Sequence, residues 1–154
     1  MTETKTGGLF LEDFTVGRTL VGPSRTITEA DIAAFAAVSG DYNPLHVDEA
    51  FAKNTMFGQR IAHGLLGLSI ATGLAFQAGL VDSSTLAFTG LTWKFKAPIL
   101  IGDSISYRAT VAKNRPLPSQ GSGMVFLDVD LVNQNGVVVQ TGQWSMLIKS
   151  RPTA

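Results

Sequence analysis

The amino-acid sequence predicts a single α+β domain in which a sheet and one long apolar helix bury each other, and three observations carry that expectation. Ile61 to Val81 contains no Asp, Glu, Lys or Arg, and a helix apolar on all sides belongs at the centre of a fold. Beyond it, apolar residues recur with period two between turn residues, as in strands. The chain has 154 residues, enough for one continuous core and too few to require a second. Strand, helices and then an antiparallel meander is the element order that a layered α+β architecture buries.

Taken in order, residues 1–8 are small and polar and are expected to be mobile, which leaves residues 9–150 as the domain. A first strand is predicted within Thr19 to Ile27. Thr28 and Asp31 then match a capping box, with Asp where Glu or Gln is usual, so a helix starts there and ends near Ser39-Gly40. Ile32, Phe35, Ala36 and Val38 form its expected apolar face. Asp48 to Lys53 reads as a further short helix, and the apolar helix follows. Leu86, Phe88, Gly90 and Thr92 alternate with Ala87, Thr89, Leu91 and Trp93 in a strand, and Pro98 with Gly102 punctuates a turn. Three more strands fit Ser104 to Ala112, Met124 to Val132 and Val137 to Ile148. Arg115 to Gly123, rich in Pro, Ser and Gly, reads as a mobile loop, and Asn135-Gly136 signals a hairpin.

Composition narrows the function. Lys plus Arg and Asp plus Glu number 12 each, so no basic field argues for nucleic acid or an anionic membrane. With no cysteine there is no disulfide, thiolate nucleophile or Cys-based metal site. The opening MTETKTGG lacks a signal-peptide apolar core. Ile61 to Val81 is long enough to span a bilayer, but His63, Gln77 and several Gly, Ser and Thr residues interrupt it without flanking basic clusters. A cytoplasmic protein that is not membrane-bound is expected. No GxGxxG, Walker or nucleophile-elbow motif is present.

The chemistry concentrates in residues 39–46, SGDYNPLH, where Asp41, Asn43, Pro44 and His46 crowd a turn. Gly40 supplies unusual backbone angles, Pro44 fixes φ and turns Asn43 away from helix, and Asp and Asn bond nearby backbone. An ordered loop of that kind can hold an acid/base pair; it is equally an ordinary Asx turn followed by a satisfied histidine. The second of two histidines, His63, precedes Gly64 at the start of the apolar helix. Free N–H groups at a helix N-terminus favour developing negative charge, and a residue without a side chain lets a substrate carbonyl approach. The competing readings are close helix packing for Gly64 and a polar cap for His63. A metal set of Asp41, His46 and His63 is weak, with two histidines in all and no Glu at helical spacing.

SGDYNPLHVDEAFA, the downstream AHG with its apolar helix, and WKFKAPILIGDSI together resemble the hydratase 2 motif of MaoC-type dehydratases, the (R)-specific enoyl-CoA hydratases, over roughly Leu9 to Lys149. The resemblance implies a hot-dog fold, an antiparallel sheet wrapped around the central helix, and reversible hydration of trans-2-enoyl thioesters to (R)-3-hydroxyacyl thioesters. In that family Asp41 and His46 would hold one water, with the division of the proton steps between them left open, and the Gly64 N–H would stabilise the oxyanion. Asn43 and His63 would support the loop, and a hydroxyl from Thr72 or Ser69 would contact the thioester carbonyl unless it merely bonds a helix carbonyl. No cofactor or metal is implied; coenzyme A or acyl carrier protein carries the substrate, its phosphates meeting cations such as Lys94, Lys96, Arg108 and Arg115. A homodimer or larger homo-oligomer is implied, because the late strands would otherwise leave a hazardous edge. The alternative is a non-catalytic hot-dog subunit that binds acyl thioesters or stabilises an active partner. A hot-dog thioesterase would need a carboxylate that the central helix lacks.

Overall fold

The computed structural model describes residues 8–153. Of the stretch 1–8, residues 1–7 lie outside the described residues, and Gly8 is buried. The elements run β1 (Thr19–Thr26), α1 (Glu29–Ser39), α2 (Pro44–Val47), α3 (Glu49–Ala52), α4 (Gly64–Gln77), β2 (Thr85–Phe95), β3 (Ser104–Leu117), β4 (Ser122–Val132) and β5 (Val138–Lys149). The five strands form one sheet in the order β1-β3-β4-β5-β2, every pair antiparallel. β3, β4 and β5 are the expected meander. β2 does not lead it but crosses to the far side of β5, so β1 and β2 are the two edges.

Alternation decides which sheet face is buried. Ile105, Tyr107, Ala109 and Val111 on β3, Val125, Leu127, Val129 and Leu131 on β4, and Trp144, Met146 and Ile148 on β5 point to one side and are buried. They meet Leu66, Ile70, Ala71, Leu74 and Ala75 of α4 in a single core. Gly22 on β1 permits the close approach, since a Cβ there would lie 3.2 Å from the Leu74 carbonyl oxygen and 3.3 Å from the Tyr107 side chain. The opposite face carries pairs such as Arg108–Asp130 and Gln143–Asp128.

Three expectations need correction. Val38 is 82% exposed while Ile32 and Ala36 are buried; the α1 face is narrower than an i, i+3, i+4 reading suggests. Arg115 to Gly123 is not a loop. Arg115 pairs with Met124 and Leu117 with Ser122, and only Pro118–Gln120 turns, as a short 3-10 helix. Its prolines and glycines stand at the tip of a long hairpin, where ladder bonds are few and Pro118 can open the turn. The apolar helix starts at Gly64 as expected, because Ala62 N–H donates to Ile99 C=O at 2.8 Å and Ile61 bridges Leu100, which holds the preceding residues extended and not helical. Nor is α4 buried all round: Leu65, Ser69, Thr72 and Phe76 are exposed, a stripe along one side at helical spacing. No helix among the described residues is long and apolar enough to cross a membrane.

Candidate active site

The loop between α1 and α2 is fixed by its own side chains. Thr28 and Asp31 close the predicted capping box at the start of α1, which ends on Gly40 at φ 77. Ser39 Oγ donates to Phe35 C=O and accepts from Asp41 N–H. Asp41 Oδ1 then accepts from Asn43 N–H, and Asn43 Oδ1 caps α2 by accepting from Leu45 N–H. Pro44 occupies the first turn of α2, where its missing N–H costs nothing. These short-range bonds make Asn43 a support of the loop, as an Asx turn does. They also place His46 on α2, facing inward at 9% exposure, while Asp41 stays exposed.

Both histidines are held by backbone carbonyls, which fixes where their protons are. A carbonyl only accepts, so His46 Nδ1–H donates to Ile61 C=O at 2.8 Å, and a neutral ring then presents Nε2 as an acceptor. His63 Nε2–H donates to the backbone carbonyl of Asp41 at 2.9 Å. The two imidazoles stack with centroids 4.0 Å apart, and Phe35 backs His63 at 4.9 Å. His63 is thus a buried prop, at 2% exposure, that ties the Asp41 loop to the start of α4 and supports the ring of His46. It is the N-cap of α4 by position but makes no side-chain cap bond.

That missing cap matters. The Gly64 N–H has no hydrogen-bond partner among the described residues, so the positive end of α4 is open where Gly64 meets a cavity of about 330 Å³. His46 and Gly64 both line that cavity, together with apolar Ile61, Phe95 and Ile99 and with Gln140. Lys96 reaches its wall as well and makes no ion pair among the described residues; Arg108 is paired with Asp130.

One ligand atom each from Asp41, His46 and His63 lie within 4.8 Å of one another. A group of that size can surround a small polar molecule. Its fit to a metal is poor: rings stacked at an interplanar angle of 28° hold their in-plane lone pairs in nearly parallel planes, so the two free nitrogens do not converge well on one ion. A water, which accepts such geometry through longer and less directional bonds, suits it better. Thr72 and Ser69 are not brought to this cluster. Thr72 Oγ1 donates to Ser69 C=O at 2.6 Å on the exposed side of α4. Sequence reasoning missed Phe95, Gln140 and Trp93; the available signal was a glutamine inside the otherwise apolar run VVVQTG.

The chain is similar to known proteins in both sequence and fold. A family model described as the MaoC like domain matches residues 13–130. The chain is 33% identical to the (R)-specific enoyl-CoA hydratase of Aeromonas caviae over 120 residues, 78% of this chain and 85% of that protein. Its backbone matches the crystal structure of the MaoC-like dehydratase from Rhodospirillum rubrum with a TM-score of 0.86 at 31% identity, covering 95% of this chain and 100% of that one. A Mycobacterium tuberculosis protein with a double hot-dog fold shares the architecture alone, at a TM-score of 0.83 and 20% identity over 97% of this chain and 47% of that one.

Proposed function

The chain belongs to the MaoC-like domain family of dehydratases and has its hot-dog fold; from that membership and the site we propose that it adds water reversibly to trans-2-enoyl thioesters, giving (R)-3-hydroxyacyl thioesters. The observation that supports the reading is one cavity lined by both His46 and the uncapped Gly64, with Asp41 clustered beside His46.

Asp41 and the Nε2 of His46 are both acceptors, so one water can donate a proton to each and keep a lone pair for the substrate. Attack of that oxygen on C3 forms the C–O bond as the C2–C3 π pair moves toward the thioester carbonyl. One water proton passes to the dyad, and the resulting enolate takes a proton from the dyad at C2, so that one water is added in all. Negative charge develops on the carbonyl oxygen, where the Gly64 N–H and the dipole of α4 meet it. Acid–base help of this sort contributes about 10² to 10⁴ in rate, and one oxyanion donor about 2.7 to 4 kcal/mol, so neither device suffices alone. The apolar walls at Ile61, Phe95 and Ile99 suit an acyl chain, and Lys96 suits a phosphate of coenzyme A or of an acyl carrier protein's prosthetic arm. No metal or cofactor enters these steps.

We read the active form as a homodimer in the cytoplasm. The exposed α4 stripe with Leu65 and Phe76, and the free edge of β2 with Leu86, Phe88, Leu91 and Phe95 exposed, form an apolar surface that a lone chain would leave wet. Purified protein mixed with crotonyl-CoA and longer enoyl-CoA and enoyl carrier-protein thioesters tests the activity. Loss of enoyl absorbance is expected; no loss with any of them would favour a silent acyl-binding subunit.

A further inference from the structure

Gln140 on β5 is one of six buried polar or charged side chains among the described residues, at 2% exposure. Its amide is used at both ends: Oε1 accepts from Trp93 Nε1–H at 2.9 Å, and Nε2–H donates to Gly64 C=O at 2.9 Å. The helix makes room for it. A Cβ on Gly67 would lie 2.5 Å from Gln140 Nε2, so the residue one turn after Gly64 has no side chain where the amide sits. Gln140 also borders the same cavity as His46 and Gly64.

The bond to Gly64 C=O is not required to satisfy that carbonyl, which as the first residue of α4 is placed to accept from a backbone N–H one turn on. Burying an amide is costly unless it is bonded, and a buried pair replaced by apolar groups of equal shape is often neutral in stability. Stability therefore does not explain why this position is a glutamine. Geometry does: the Trp93–Gln140–Gly64 relay fastens the first turn of α4 to β2 and β5, the strands that carry the opposite wall of the cavity. The direction of the Gly64 N–H relative to the His46 ring depends on that turn.

We propose that Gln140, oriented by Trp93, is a positioning residue that aims the Gly64 N–H at the thioester carbonyl; the proposal rests on the hydratase reading above. Gln140→Met removes both bonds at nearly constant volume, Gln140→Glu keeps the acceptor for Trp93 but loses the donor, and Trp93→Phe removes the outer link. Expected for Gln140→Met is a kcat for crotonyl-CoA hydration lowered at least about tenfold with KM within about twofold, the pattern of an interaction realised in the transition state. Gln140→Glu should be impaired at pH 8 and should regain activity relative to the wild type as pH falls toward 5.5. A buried carboxyl beside a carbonyl takes up a proton readily and then donates again. Trp93→Phe should lose less, and combining it with Gln140→Met should add little. Wild-type kcat in Gln140→Met, or a Gln140→Glu to wild-type ratio flat across pH, would overturn the proposal. Should Gln140→Met not fold, a Trp93→Phe variant with kcat unchanged would do the same. The Gly64 amide resonance in ¹⁵N-labelled protein reads the positioning without turnover. A displaced resonance in Gln140→Met supports it and an unmoved one refutes it, even if the wild type hydrates no enoyl thioester.

Discussion

Replacing Gly64 by Ala separates the oxyanion reading from a packing role. A Cβ at residue 64 would lie 2.6 and 2.8 Å from two carbons of the Phe95 ring. Carbon–carbon contacts settle at about 3.5 to 4.0 Å, so the ring must retreat by about 1 Å. Phe95 is 55% exposed and can swing toward solvent, at an off-rotamer cost of about 0.5 to 1.5 kcal/mol. Against this, Ala is favoured over Gly within a helix by about 0.8 to 1 kcal/mol. The two effects nearly cancel, and Tm should stay within about 4 °C, the shift that 1 kcal/mol produces in a domain of this size. Catalysis has no such offset: the new methyl stands beside the N–H and crowds the thioester carbonyl, so kcat/KM should fall about 10²- to 10³-fold, the scale of one lost oxyanion donor. Thermal melting and crotonyl-CoA hydration on the same preparation read both quantities. Phe95→Leu is the control for ring displacement and should retain most activity. Full activity in Gly64→Ala would remove Gly64 from the mechanism; lost activity with a collapsed Tm would leave it a packing residue only.

Asp41→Asn and His46→Gln should each remove most of kcat with little change in KM, and the double variant should be far less than additive, whereas multiplicative losses in single-turnover kinetics would contradict a shared water. His63→Ala deletes the ring that stacks on His46 and holds the Asp41 carbonyl. It should cost about 2 to 5 kcal/mol in denaturant unfolding, as large-to-small core changes do, and lower kcat about a hundredfold through displacement of the dyad. Light scattering should give about twice the 16.3 kDa chain mass, and Leu91→Lys on the free β2 edge should shift the protein toward monomer. A wild-type monomer would refute the dimer reading.

The elements with local causes were legible in the sequence. The Thr28/Asp31 capping box, the Gly40 terminus of α1 and the Asn-Gly hairpin are written in neighbouring residues and appear in the structure as expected. So was the site loop, since Asp41, Asn43 and Pro44 act on backbone two positions away. What depends on distant partners was not legible. The crossing of β2 to pair with β5, the side of α4 that the sheet leaves exposed, and the extended Pro-rich hairpin follow from tertiary pairing, which no periodicity encodes. Gln140 escaped notice for the same reason: its meaning is the 76-residue reach to Gly64.

The central claim is that Asp41 and His46 deliver one water to one face of an enoyl thioester. Chiral analysis of the product formed from crotonyl-CoA in deuterium oxide tests it most directly. The account predicts (R)-3-hydroxybutyryl-CoA bearing a single deuterium at C2, formed by the wild type and absent with Asp41→Asn. An (S) product, a racemate, or undiminished hydration by Asp41→Asn would contradict it.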